Sequence, residues 1–171
     1  MMEFVELAAS ITGNTIVSKI EIDGGIYLDE IKQSDKPRYL ELFKVRQIYE
    51  QTLAIPFPYT ESDADWWINE NQKKLERLGQ PTSFAIRDSE GLLIGGAGFD
   101  SLEIGKEHKS ELGYWLGKPY WKKGIMTKVV KKLCAVAFDE FELVRITANI
   151  FSFNEVLKKF CRSVDLNWKV I

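Results

Sequence analysis

The chain has 171 residues, with 23 Lys and Arg against 25 Asp and Glu, for a net charge of −2. Its 45% hydrophobic and 28% charged content, with 12 Gly and 5 Pro, is that of a globular protein large enough to bury a sizeable core. That balance excludes disordered and collagen-like classes and offers no global positive field for nucleic acid, and the longest glycine-free apolar run, Leu133 to Phe138, is far short of the roughly 20 residues of a membrane span.

Residues 1–24 are weakly patterned, although Ile16, Ser18, Ile20 and Ile22 alternate; Ile26 and Leu28 suggest the first core strand. Ser34 and Asp35 before Pro37 start a helix, in which Tyr39, Leu42, Phe43, Arg46 and Tyr49 recur at helical spacing. The segment Pro56-Phe57-Pro58-Tyr59 is extended, because each proline excludes helix for the residue before it. A second helix starts near Thr60 to Asp63, turns Ala64, Trp67, Ile68, Leu75 and Leu78 to one face, and stops at Gly79 and Pro81. Ser83 to Arg87 and Leu92 to Phe99 flank the turn Asp88-Ser89-Glu90-Gly91 as a hairpin.

After a polar loop comes a strand from Ser110 to Leu116, in which Leu112, Tyr114 and Leu116 alternate with Glu111, Gly113 and Trp115. A helix follows from about Gly124 to Glu140, with Met126, Val129, Val130, Leu133 and Ala137 on one face. Val144, Ile146, Ala148 and Ile150 then mark a strand, and Asn154 caps a helix burying Val156, Leu157, Phe160, Cys161 and Val164. Trp168 to Ile171 begin a last strand. Nothing resembles a repeat or linker, so residues 1–171 are read as one mixed α/β domain.

Two cysteines, Cys134 and Cys161, and one histidine, His108, make neither a disulfide framework nor a four-ligand zinc site, so no metal is expected. His108 sits among Gly105, Lys106, Glu107 and Lys109 and reads as a solvated loop residue. Proton transfer is left to carboxylates, tyrosine, water or the substrate. The acidic opening, Glu3 and Glu6, is unlike a secretory leader and suggests a cytoplasmic protein.

The unit with chemical content is the strand to Leu116, the loop 117–123 and the helix after it. Such a junction presents unpaired backbone N–H groups at a positive helix end, a seat for phosphate or pyrophosphate. Gly124 allows close approach, Lys122 and Lys123 add positive charge, and Thr127 offers a hydroxyl. From these residues alone, a solvated turn is an equally good reading.

The run Glu111-Leu112-Gly113-Tyr114-Trp115-Leu116, followed by Pro119-Tyr120-Trp121-Lys122-Lys123-Gly124-Ile125-Met126-Thr127, resembles the acetyl-CoA-binding signature of the GNAT superfamily of N-acetyltransferases, in its RimJ/RimL-like branch. Phe138 through Leu143-Val144-Arg145-Ile146, then Asn149 and Asn154, and upstream Leu28-Asp29-Glu30-Ile31 and Leu93-Ile94-Gly95-Gly96, agree in order, over roughly residues 25–166. The resemblance implies a central, mostly antiparallel splayed sheet flanked by helices, with acetyl-CoA in the opening. It places Leu116 on the pantetheine strand, Trp121, Lys122, Lys123, Gly124, Ile125, Met126 and Thr127 in the pyrophosphate loop, and Asn154 on the cofactor side.

The same resemblance implies direct attack of an amine, from a protein N-terminus or a small molecule, on the thioester. Glu111 stands where some of these enzymes carry a catalytic glutamate, and Tyr59, Trp66 and Tyr114 are substrate-side candidates, with Trp67 read as core. The sequence departs from the wider pattern Gln/Arg-x-x-Gly-x-Gly/Ala at Trp121 and Met126, and Lys122 replaces a frequent glycine. Leu157 replaces a small or hydroxyl residue, Cys161 replaces a tyrosine that reprotonates the thiolate, and Asp165-Leu166 replaces Gly-Phe. The family's last strand is left incomplete, so either a partner chain, as in a homodimer, supplies it or the site is less enclosed. An acyl-CoA-binding protein of the same fold with impaired catalysis is the alternative.

Overall fold

A computed structural model describes residues 18–52, 54–100, 102, 106 and 108–150, together with the backbone of 167–170. Asn154, Leu157, Cys161 and Asp165-Leu166, and the helix expected there, lie outside the described residues.

The elements are β1 (Ile20–Asp23), β2 (Ile26–Asp29), α1 (Lys36–Leu42), α2 (Arg46–Glu50), α3 (Glu61–Leu78), β3 (Ser83–Arg87), β4 (Leu93–Asp100), β5 (Lys109–Leu116), α4 (Ile125–Asp139), β6 (Arg145–Ile150) and β7 (Asn167–Val170). The seven strands among the described residues form one sheet in sequential order. Each neighbouring pair from β1 to β5 is antiparallel, whereas β5–β6 and β6–β7 are parallel.

Two sequence expectations are corrected. Ile26 and Leu28 do not begin the first strand, because β1 precedes them and pairs Ile20 with Leu28. The helix expected to run through Tyr49 breaks after Leu42 and restarts at Arg46. The break rotates the next turn, so Ile48 is buried and Tyr49 is 44% exposed.

The sheet separates two cores. On one face α4 buries Val129, Val130, Leu133 and Ala137 against Phe84, Ile86, Phe99 and Leu112. Truncating a fully buried leucine such as Leu133 to alanine costs about 2–5 kcal/mol. On the other face Tyr39, Phe43, Ile48, Ala64 and Ile68 pack against Ala85 and Leu93. Trp67 is half-buried there, and its Nε1–H donates to the Tyr39 hydroxyl at 3.2 Å.

Arg87 fastens the α1 region to the sheet. Its guanidinium donates to Asp29, to both oxygens of Asp35 at 2.7 and 3.0 Å, and to the carbonyls of Glu30 and Gly91. Burial alone would disfavour its charge, but the hydrogen bonds and charge of Asp35, then of Asp29, outweigh that and hold its pKa above the usual arginine value. Asp35 in turn accepts the Lys32 N–H at 2.8 Å, which fixes the turn entering α1. Removing one partner would leave an uncompensated buried charge, so the cluster is far costlier to break than a surface pair.

Candidate active site

β5 and β6 pair at Lys109–Arg145, Ser110–Ile146 and Glu111–Thr147. β5 then continues to Leu116 along β4, but no further β5–β6 rung occurs among the described residues. The sheet parts at this point. Glu111 is half-buried at the last shared rung, and Asn149 of β6 donates from Nδ2 to Glu111 Oε1 at 2.6 Å.

Strand alternation sends Leu112, Tyr114 and Leu116 to the α4 face, where they pack against its core. Glu111 and Trp115 therefore share the face of α1 and α3, and Trp115 packs into that cluster. The Trp115 indole lies over Gly96, its partner on β4. A Cβ at Gly96 would fall 2.5 Å from the indole Nε1, so only glycine admits this ring. The Trp115 ring centroid lies 4.4 Å from that of Phe43, and Phe43 meets Tyr59 edge-on at 4.6 Å. The result is an aromatic wall on the face that carries Glu111.

Beyond Leu116 the Gly117 N–H bonds to the Ile94 carbonyl at 2.9 Å, and residues 118–120 form one tight turn. The Trp121 Nε1–H donates to the Leu116 carbonyl at 2.6 Å and its backbone N–H to the Lys118 carbonyl at 3.2 Å. Both Trp121 donors are thus used inside the protein, where they hold the loop against the strand. Lys122 and Gly124 adopt left-handed backbone, with φ of 61° and 73°.

The first backbone bond of α4 runs from the Lys128 N–H to the Gly124 carbonyl at 3.3 Å. The N–H groups of Ile125, Met126 and Thr127 therefore have no acceptor within the helix. Among the described residues no side chain caps them, and the first turn holds no acidic residue. Among the described residues, a Cβ at Gly124 would meet nothing within 4 Å, so the space beside Gly124 is open. Lys122 and Lys123 are exposed beside it, while Lys128 is tied to Asp23 at 2.6 Å. The Ile125 and Met126 side chains are partly buried against the α4 core.

The other candidates are scattered. Tyr59 is half-buried, and burial first, then the charge of Asp63, pushes its phenol above the ordinary tyrosine value. It is thus a hydrogen-bond donor near neutrality and not a base. Trp66 lies on the outer side of α3, opposite Ala64 and Ile68, and is 64% exposed; it is not brought to Glu111. Tyr114 lies on the opposite sheet face from Glu111. Sequence reasoning gave no role to Trp115 or Asn149. The alternation that put Trp115 in phase with Glu111 was available, but the Asn149 bond depends on a register 38 residues away.

A family model described as the acetyltransferase (GNAT) domain matches residues 26–166. The chain belongs to this GNAT family. It is 30% identical to the probable N-acetyltransferase YjcK of Bacillus subtilis over 132 residues, 75% of this chain and 73% of YjcK. Three other curated Bacillus relatives are matched over only 21%, 52% and 44% of their lengths.

Among solved structures, RimL, a ribosomal L7/L12 alpha-N-protein acetyltransferase in complex with coenzyme A, has a TM-score of 0.74 at 18% identity, covering 86% of this chain and 82% of RimL. The ribosomal-protein-S5-alanine acetyltransferase of Vibrio fischeri has a TM-score of 0.69 at 21% identity, covering 85% and 81%. At these identities the likeness shows the fold.

The family match and the N-acetyltransferase relatives identify residues 26–166 as an acetyltransferase (GNAT) domain. The uncapped α4 end with two lysines beside it fits a pyrophosphate, and the parted strands give an extended arm a way in. Among the described residues no helix is long and apolar enough to cross a membrane, and no group of three or more His, Cys, Asp or Glu side chains is placed to hold a metal.

Proposed function

We propose that this chain transfers the acetyl group of acetyl-CoA to a primary amine, at a protein N-terminus or on a small molecule, in the cytoplasm. The observation that carries this reading is the meeting, on one strand, of a carboxylate at the parting of the sheet and an uncapped, lysine-flanked helix end just beyond it. The N–H groups of Ile125, Met126 and Thr127, with Lys122 and Lys123, hold the pyrophosphate, and Gly124 leaves room for it. Leu116 borders the pantetheine arm and Trp121 holds the loop, with Asn154 assigned to the cofactor side. Bound acetyl-CoA would supply the acyl carbon: the amine nitrogen forms the C–N bond, the C–S bond breaks, and coenzyme A leaves as a thiolate that takes a proton from water.

An aliphatic amine is mostly protonated near neutral pH, so it must lose a proton before it attacks. Glu111 takes that proton through its free carboxylate oxygen, directly or through one water. Trp115, Phe43 and Tyr59 form the wall beside which the acceptor lies. A structurally similar acetyl transferase of Salmonella typhimurium that modifies the N-terminal serine of L7/L12, and the S5-alanine enzyme, make serine- and alanine-terminated peptides the first acceptors to try.

Thioester consumption with those peptides, polyamines and aminoglycosides is the test. No turnover with any of them, by protein that binds acetyl-CoA, would contradict the proposal. Glu111→Gln should lower kcat/KM by roughly 10²- to 10⁴-fold and leave acetyl-CoA affinity unchanged. An effect within a few-fold at every pH would remove Glu111 from the role.

A further inference from the structure

Glu111 closes the last rung between β5 and β6, opposite Thr147. A half-buried glutamate at the mouth of an opening has three side-chain torsions, and untied it would spread over several rotamers. Asn149 ties it. This residue lies two positions past Thr147, on the same side of β6, and its Nδ2–H reaches Glu111 Oε1 at 2.6 Å. The bond crosses the sheet where backbone pairing has already ended.

Three consequences follow from that placement. One carboxylate oxygen is occupied and the other, Oε2, remains an acceptor. The carboxylate is held on the face of the aromatic wall of Trp115 and Phe43. The donor is a neutral amide, so it fixes the carboxylate without cancelling its charge, as a lysine or arginine would. Packing of β6 rests elsewhere, on the buried Ile146 and Ala148 of its other side.

We infer that Asn149 is the positioning residue of the general base, holding Glu111 so that Oε2 faces the acceptor amine. The inference rests on Glu111 being that base. Asn149 touches no reacting atom and acts only through Glu111, and a displacement of about 1 Å at a reacting group is worth roughly 10²-fold in rate.

Two measurements test it. In the first, the Asn149 side-chain amide signals are compared by NMR between wild type and Glu111→Gln. They should shift between the two proteins; identical amide signals overturn the inference. In the second, kinetics with a serine-terminated peptide compare Asn149→Ala, Glu111→Gln and the double variant. Asn149→Ala should lower kcat by about 10- to 100-fold with the KM for acetyl-CoA unchanged. In the Glu111→Gln background it should add less than 2-fold, because its effect runs through the carboxylate.

Asn149→Thr keeps a strand-forming residue and supplies the same comparison if the alanine variant folds poorly. A full Asn149→Ala effect that persists in the Glu111→Gln background means a structural role and overturns the inference. Loss of activity in Glu111→Gln without loss in Asn149→Ala overturns the role of Asn149 alone. A Glu111→Gln protein within a few-fold of wild type overturns the base, and the role of Asn149 with it.

Discussion

Helices α3 and α4 begin with the same physical problem, a first turn of backbone N–H groups without helical acceptors, and they solve it in opposite ways. At α3 the Thr60 hydroxyl accepts the Asp63 N–H while the Asp63 carboxylate accepts the Thr60 N–H at 2.8 Å, and Glu61 adds a second acid to the turn. The end is closed by its own sequence. At α4 the cap position is Gly124 in a left-handed conformation, no described side chain accepts, Ile125 and Thr127 stand where α3 has acids, and Lys122 and Lys123 precede the cap. The positive helix end and two cations are left facing outward. A helix terminus built only for stability looks like the first; the proposed function gives the second an anion to hold.

The largest effect should come from giving the open end of α4 an acid, as the first turn of α3 has. Gly124→Asp brings a carboxylate to the open N–H groups, where it competes with the pyrophosphate and repels it. Acetyl-CoA affinity by calorimetry should fall on the order of 10²-fold, the equivalent of losing one or two charge-assisted hydrogen bonds. Unfolding should change little, because the new cap offsets the strain of a side chain at φ 73°.

Next in size is the converse change at α3. Thr60→Ala opens the capping box and should cost about 1 kcal/mol, or roughly 2–4 °C in Tm, with acetyl-CoA affinity unchanged. A matching loss of affinity would mean that the two ends are not independent.

A smaller effect is expected of Lys122→Gly. Relief of the left-handed lysine, about 1–2 kcal/mol, is largely offset by the added freedom of glycine in the unfolded chain. Tm should barely move, while loss of one cation weakens acetyl-CoA binding a few-fold, and less so at high salt.

The smallest effect concerns acid. The side-chain hydrogen bond of Thr60, then its backbone N–H, hold Asp63 below the ordinary value of 3.8. With its folded value depressed, Asp63 contributes stability above about pH 3.8 and loses it as pH falls through the folded value. The stability difference between wild type and Asp63→Asn should therefore close in acid. α4 has no carboxylate in its first turn to show such a change.

Much of this contrast is legible in the residues. Thr60 before an acidic turn and Gly79 after Leu78 mark the limits of α3, and both ends lie where they suggest. Period-two alternation from Glu111 to Leu116 gives β5 and the face of each side chain. What stayed hidden depends on distant partners. Arg87 looks like the polar end of a strand, yet it is buried, because Asp29 and Asp35 reach it from more than 50 residues away.

The helical pattern across Tyr39 to Tyr49 concealed a break, since both short helices follow the same period. The parting of β5 from β6 after Glu111 is a matter of register, which local composition does not encode. Trp121 reads as a loop aromatic, and only the folded chain joins its indole to the Leu116 carbonyl.

The measurement that tests the central claim most directly pairs two ligands with two proteins. Acetyl-CoA carries the pyrophosphate, whereas acetyl-pantetheine keeps the thioester and the arm without it. Titrating both into wild type and Gly124→Asp isolates what the open end of α4 recognises. The account predicts that Gly124→Asp weakens acetyl-CoA on the order of 10²-fold and leaves acetyl-pantetheine nearly unchanged. Equal losses for both ligands, or none for either, would contradict it.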